Sequence, residues 1–210
     1  MNHDIYISLG SNLGNRKAYL QQAIEGIAMR VGTIVDIAPI YETPSWGFAG
    51  EAFLNTCLLC KSFLSPEEVL SQLLQIEHEL GRERVPNQKG YQSRTIDLDI
   101  LFYDDEVINS ELLTIPHPLL HRRKFVLRPL AALDEQKVHP ILQKTIGELL
   151  RTTDDPSPVQ RLSDQLTFPA QKSPFLNYKY IAIEGNIGSG KTTLATKIAE
   201  DFNAKLILEQ

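Results

Sequence analysis

Apolar and polar positions alternate with a period of two in some stretches of this chain and recur at helical spacing in others, and the two periods take turns. Asp4–Leu9 is a short apolar run that stops at the turn cluster Gly10-Ser11-Asn12. Arg16–Val31 carries Ala18, Leu20, Ala23, Ile24, Ile27 and Ala28 close to helical spacing, which predicts a helix. Thr33–Tyr41 is rich in Ile and Val and predicts a strand. A loop over Glu42–Glu51, punctuated by Pro44, Gly47 and Gly50, leads to a further strand at Phe53–Phe63. Ser65 is placed to cap a helix, with Pro66 at its first position and Glu67 and Glu68 in its first turn. That helix continues through Val69, Leu70, Leu73, Leu74, Ile76 and Glu77 and ends near Gly81. After the polar, basic loop Arg82–Ser93, strict alternation returns: Ile96, Leu98 and Ile100 on one face, Asp97 and Asp99 on the other. The β-α-β-β-α-β order predicts an α+β fold, a ferredoxin-like antiparallel-rich sheet with helices packed on one face.

The pattern changes past Arg151. Asp154-Asp155-Pro156-Ser157-Pro158 opens a stretch of little periodicity that also holds Pro169 and Pro174, which reads as a linker. Periodicity resumes at Lys179–Glu184, an apolar strand followed by Gly185-Asn186-Ile187-Gly188-Ser189-Gly190-Lys191-Thr192-Thr193 and a helix at Leu194–Phe202. This is G-x-x-x-x-G-K-T in a strand–loop–helix setting, so it is a specific signal for a phosphate-binding P-loop. In such a loop, backbone N–H groups around Gly185 and Gly190 cradle phosphates, Lys191 reaches the terminal phosphates and Thr192 can ligate Mg²⁺. The chain therefore divides into a first domain at 1–151, a linker at 152–178 and a β-α-β P-loop fragment at 179–210. One β-α-β unit cannot bury both faces of a parallel sheet, so the fragment is incomplete and its P-loop is expected to be idle here.

Composition narrows the function classes. In 210 residues the net charge is −5, which argues against a nucleic-acid or membrane-surface binder and makes any anion site a local cluster of arginines. The two cysteines, Cys57 and Cys60, sit in an apolar run whose alternation points them to opposite faces, so buried free thiols are expected and a zinc site is not. The N-terminus lacks a signal-peptide pattern and no apolar run approaches membrane-spanning length; a cytoplasmic protein is expected.

The candidate chemistry gathers around the acidic strand. Asp97 and Asp99, two residues apart, lie about 6–7 Å apart on one surface, a spacing suited to hard divalent cations that also hold phosphate oxygens. Arg82 and Arg84 precede the strand, Arg94 stands at its mouth, and His117, Arg122, Arg123 and Lys124 follow it. An acid pair among arginines suits a nucleoside triphosphate with bound Mg²⁺. For Arg122 and Lys124 a purely solvating role is as good a reading. Tyr41–Pro44 and Phe53–Asn55 bracket one loop, and Phe125 follows the basic cluster. Aromatic rings can sandwich a flat heterocycle, and an Asn amide offers its edge both a donor and an acceptor. By spacing alone, Phe53 and Phe125 read as core residues; Asn55, polar within an apolar strand, is the odd one out.

Together, Ile7-Ser8-Leu9-Gly10-Ser11-Asn12-Leu13-Gly14, Tyr41–Pro44, Phe53-Leu54-Asn55, Gly81-Arg82-Glu83-Arg84, Arg94–Ile100 and Pro116-His117-Pro118 resemble the 6-hydroxymethyl-7,8-dihydropterin pyrophosphokinases of folate biosynthesis. The resemblance covers about residues 4–150. It implies transfer of pyrophosphate from ATP to the pterin hydroxymethyl group, releasing AMP, with ATP and the pterin as the small-molecule partners. It implies that Asp97 and Asp99 bind two Mg²⁺, and that Glu77, Arg82, Arg84, Arg94, His117 and Arg123 serve the nucleotide. It further implies that Thr43, Pro44 and Asn55 read the pterin edge while Phe53 and Phe125 stack on its faces. The chain departs from the family pattern at Lys89–Arg94, where Tyr91 stands in the region of a common tryptophan, at Pro118, where an aromatic is common, and at Phe53, where tyrosine is common. The tail is similar to the start of deoxynucleoside kinases, in which Glu209 would match the general base, so a bifunctional fusion is expected. The competing readings are a P-loop deoxynucleoside kinase activity of the longer fusion and a catalytically silent nucleotide- or pterin-binding module.

Overall fold

The computed structural model describes residues 2–45, 50–82, 93–169, 182–184 and 190–201. Two compact units divide at Pro169. In the first, strand β1 (His3–Ser11) leads to helix α1 (Arg16–Arg30), capped by Asn15, whose side chain accepts the Ala18 N–H at 3.2 Å. Strands β2 (Thr33–Ile37), β3 (Tyr41–Thr43) and β4 (Phe53–Ser62) follow, then helix α2 (Pro66–Glu79). The expected Ser65 cap is present as a reciprocal box: Ser65 accepts from the Glu68 N–H, and Glu68 accepts from the Ser65 N–H at 2.7 Å. Strand β5 (Asp97–Tyr103) carries the acidic pair.

The sheet runs β5-β1-β4-β3, with β2 also on β4, and every described pairing is antiparallel. β1 lies between β4 and β5, the order that follows when each helix carries the chain over a neighbouring strand. The strand expected at Thr33–Tyr41 is interrupted. Its register slips between Ile34 and Asp36, and Ala38 leaves the ladder to bond Cys57 O and Thr56 Oγ1 instead. Pro39, with no N–H to give, falls in this break, and pairing to β4 resumes at Tyr41. The loop expected from Glu42 therefore begins two residues later than its composition suggests.

Helices cover both faces of the sheet, not one. Ile5, Ile7 and Leu9 of β1 and Leu58 of β4 pack with Leu20, Ile24 and Ile27 of α1 and Leu73 and Ile76 of α2. The residues between them face the other way. Tyr6, Cys57 and Phe102 pack with Val126, Leu127 and Leu130 of helix α3 (Lys124–Asp134) and with Ile146 and Leu149 of helix α4 (Ile146–Thr152). The pattern of β4 carries the signal, because Cys57–Cys60 is apolar on both faces where a one-faced sheet would show polar residues on alternate positions. Cys57 and Cys60 do fall in opposite layers as free, buried thiols, and burial raises both, Cys60 to about 12.

Residues 152–169, expected as linker, fold onto the first unit. Gln160–Arg161 forms strand β8, antiparallel to β3, and Leu162 and Leu166 join the α1/α2 core; a short hairpin of β6 (Ile108–Asn109) and β7 (Thr114–Ile115) lies between β5 and α3. In the second unit the described helix is α5 (Lys191–Asp201), which starts immediately after Gly190 at φ 80°. Gly185 and Glu209 of the expected P-loop fragment lie outside the described residues. Among the described residues no helix is long and apolar enough to cross a membrane.

Candidate active site

Strand register sets the site. Gly10 of β1 stands opposite Asp97 of β5 on one side and Asn55 of β4 on the other; Ser8 stands opposite Asp99. Residues opposite one another in a sheet project from the same face, and neighbouring strands lie about 4.8 Å apart. A carboxylate, a residue with no side chain and an amide thus form one row. The bare centre matters: a Cβ on Gly10 would stand 3.2 Å from Asn55 Oδ1 and 3.6 Å from Phe53. Glycine keeps this floor open, and a cleft of about 550 Å³, counting its open mouth, rises from it.

Opposite walls come from distant parts of the chain. Thr43 ends β3 and Pro44 follows it, Phe53 begins β4, and Arg123 and Phe125 flank the start of α3. Asn55, 3% exposed, donates to Thr43 Oγ1 at 2.8 Å, so both polar side chains are held in place at the cleft edge. The Arg123 guanidinium sits 5.7 Å from the Phe125 ring centre, tying charge and ring together.

The acidic end is a charge network. Asp97 pairs with Arg82 at 2.5 Å and with Arg94 at 2.8 Å. Glu77, 1% exposed on α2, pairs with Arg82 and accepts the backbone N–H of Leu98 at 2.8 Å, so it fixes both the guanidinium and the acidic strand. Asn12, fully buried at the end of β1, accepts the Arg94 backbone N–H at 2.8 Å and donates to Ser93 Oγ and Glu51 O. Burial and the neighbouring Asp97 raise the Asp99 carboxyl above the usual range, with Arg123 opposing the rise. Its side chain still opens to the cleft, 40% exposed, and stands 4.0 Å from His117 Nε2. Burial, reinforced by the Arg123 charge, lowers His117 to about 4. His117 Nδ1 accepts the Leu119 N–H at 3.2 Å, which assigns the neutral ring's proton to Nε2, on the cleft side.

The donor set fits a hard cation. Among the described residues no cluster of three His, Cys, Asp or Glu side chains could enclose a metal. Two carboxylates open to a cleft suit Mg²⁺, which keeps water and takes further oxygens from phosphates.

The structure thus brings Thr43, Pro44, Phe53, Asn55, Arg94, Asp97, Asp99, Arg123 and Phe125 around one cleft, with Arg82, Glu77 and His117 against its acidic pair. Arg84 and Tyr91 lie outside the described residues; Arg122 is exposed; Lys191 and Thr192 open α5 in the second unit. Ser8 and Gly10 of the floor and the latch at Asn12 had no assigned task from sequence. Their signal was the run of small and polar residues on the second face of β1, which reads locally as the approach to a turn.

A family model described as 7,8-dihydro-6-hydroxymethylpterin-pyrophosphokinase (HPPK) matches residues 6–135. The chain belongs to this family. It is 39% identical over 145 residues to the 2-amino-4-hydroxy-6-hydroxymethyldihydropteridine pyrophosphokinase of Aquifex aeolicus, covering 69% of this chain and 88% of that one. The enzyme of that name from Bacillus subtilis is 43% identical over 138 residues, covering 65% and 81%. Pneumocystis carinii folic acid synthesis protein fol1 is 42% identical over 147 residues, but these make up 20% of its length. Among solved structures, wild-type HPPK-DHPS of Plasmodium falciparum with SDX-DHP superposes with a TM-score of 0.60 at 17% identity, covering 72% of this chain and 44% of that one; this likeness speaks to fold. The chain is a pyrophosphokinase of folate biosynthesis, and ATP is its co-substrate.

Proposed function

We propose that the cleft transfers pyrophosphate from ATP to 6-hydroxymethyl-7,8-dihydropterin by clamping the two substrates over one row of the sheet. The observation that supports this is the alignment Asp97–Gly10–Asn55, which sets the acidic strand and Asn55 on either side of one bare glycine. Phe53 and Phe125 sandwich the pterin ring, and Asn55, Thr43 and Pro44 meet its edge. Asp97 and Asp99 would hold two Mg²⁺, which would offset charge on the triphosphate. Arg82 and Arg94, paired with Asp97 in the structure, exchange that carboxylate for phosphate oxygens when the nucleotide arrives; Arg84 and Arg123 add positive charge. Neutral His117 donates from Nε2 to a phosphate oxygen. Glu77, with its carboxylate buried, acts on the nucleotide through Arg82. The pterin hydroxyl oxygen forms a bond to the β-phosphorus as the bridge to the α-phosphate breaks. AMP leaves, and the hydroxyl proton passes to water. Alignment and charge complementarity carry the rate.

A cytoplasmic setting belongs to the same reading, in keeping with two reduced thiols. For the second unit we propose the start of a deoxynucleoside-kinase-like P-loop domain in a bifunctional fusion, supported by α5 opening at Lys191 directly after a glycine with positive φ.

The test is nucleotide product analysis with ATP, Mg²⁺ and the pterin. AMP formed one-for-one with pterin diphosphate is expected, and Asp97→Ala should abolish it while leaving the far-ultraviolet circular dichroism unchanged. ADP as product would point to the kinase reading. Binding of both substrates without turnover would leave a silent binding module.

A further inference from the structure

Helix α3 carries one wall of the cleft, yet nothing in its own sequence caps it. Its N-cap residue is Arg123, which makes no side-chain cap bond, and its first turn holds no acidic residue. Such a start leaves backbone N–H groups open and the positive end of the helix dipole unopposed. The cap comes from 31 residues further on: Asp155 Oδ2 accepts the Lys124 N–H at 2.8 Å. The other carboxylate oxygen accepts the Ser157 N–H at 2.9 Å, which fixes the side chain in a turn of its own. Although partial burial raises the Asp155 carboxyl, these bonds outweigh it and hold it below the usual range, so it is a carboxylate at neutral pH. Lys124 lies between Arg123 and Phe125, both of which line the cleft.

The same segment then reaches the opposite wall. Gln160 and Arg161 pair with Glu42 and Tyr41 of β3, and the Leu162 N–H donates to Ile40 O at 2.9 Å. Thr43 and Pro44 continue directly from that paired strand. Leu162 and Leu166 anchor the segment in the core, and Thr167 and Gln21 exchange hydrogen bonds of 2.9 and 3.1 Å. A stretch beyond the family match, composed like a spacer, thus bonds to the elements that carry both walls of the cleft.

We propose that residues 153–169 brace the pterin cleft and that Asp155 is a positioning residue, holding Phe125 and Arg123 by capping α3. The proposal rests on the pterin reading of the cleft for its ligand. In the full chain, Asp155→Ala should weaken equilibrium binding of 6-hydroxymethyl-7,8-dihydropterin, followed by its own fluorescence, on the order of five- to tenfold, the scale of a lost helix cap. Asp155→Asn keeps an acceptor and loses the charge, so it should fall between Ala and wild type. Amide hydrogen exchange of 124–127 should quicken in the same order while that of α1 stays unchanged.

A cap serving stability alone would lower the melting temperature and leave pterin affinity of the folded protein within twofold of wild type; that result overturns the proposal. So does unchanged exchange at 124–127. Should Asp155→Ala not fold, Asp155→Asn decides by the same two readings. Failure of the wild-type protein to bind the pterin would overturn the reading of the cleft instead, and the exchange comparison would still decide whether Asp155 holds its wall.

Discussion

Single residues in this site matter as much for what they leave out as for what they bring. Gly10 is needed because a methyl group there would press on the Asn55 amide and reach into the Phe53 contact. Gly10→Ala should therefore leave the strand intact, at a cost within about 1 kcal/mol, and weaken pterin binding at least tenfold; isothermal titration checks it against unchanged ATP binding. His117 is set by burial. Its folded value, about 4, lies below the 6.5 of an ordinary imidazole, so the unfolded chain binds more protons between those values. The sign follows: this contribution to stability is complete above pH 6.5 and is lost as pH falls toward 4. Urea denaturation across that window should show the wild type losing more stability than His117→Gln does; equal slopes would exclude the assignment. Asp97 and Asp99 were legible from alternation alone, since a period of two leaves no other face for them. Gly10 was not, because a missing side chain gives no signal until the strands beside it are known.

At the scale of elements, the ends of strands and helices do the positioning. Asn12 ends β1 and holds Arg94 at the mouth of β5 and Glu51 ahead of β4, so one buried amide ties three segments. Asn12→Ala leaves the Arg94 N–H without this partner and should cost about 2–3 kcal/mol in chemical denaturation. It should also lower kcat more than it raises the KM for the pterin, because the displaced group is Arg94 rather than the ring slot. Helices α1 and α2 were readable from spacing and caps, with Ser65-Pro66-Glu67-Glu68 giving both start and direction. Helix α3 was not marked. It has no cap residue of its own, carries Pro129 within it, and follows a basic run that draws attention to charge instead of periodicity. The break between β2 and β3 has no local signal for a related reason: Ile and Val at 34–40 satisfy a strand pattern on either side of a slip.

On the scale of the whole molecule, the functional unit extends past its acidic and aromatic residues. The first compact unit runs to Pro169, and its last stretch supplies β8, Leu162, Leu166 and the cap at Asp155. Ending the chain after Pro169 should keep pyrophosphokinase turnover within about twofold of the intact protein. Ending it after Thr152 removes a strand, two apolar anchors and a cap, and should lower the melting temperature by on the order of 10 °C. Differential scanning calorimetry with turnover measured on both lengths separates these outcomes. Equal loss in the two would mean that the second unit also supports the first.

Sequence alone determined the alternation of strands and helices, the α+β class, the acidic pair on one face of its strand, and the family, because each rests on local period or on ordered motifs. Tertiary structure decided which strands neighbour one another, and hence that Asp97, Gly10 and Asn55 form one row. It also decided that helices cover both faces, and that residues 153–169 pack on the first unit. The physical reason is range. Propensity and periodicity act over a few residues, whereas register, the second core and the cap on α3 join groups tens of residues apart, whose partners the chain does not name until it is folded.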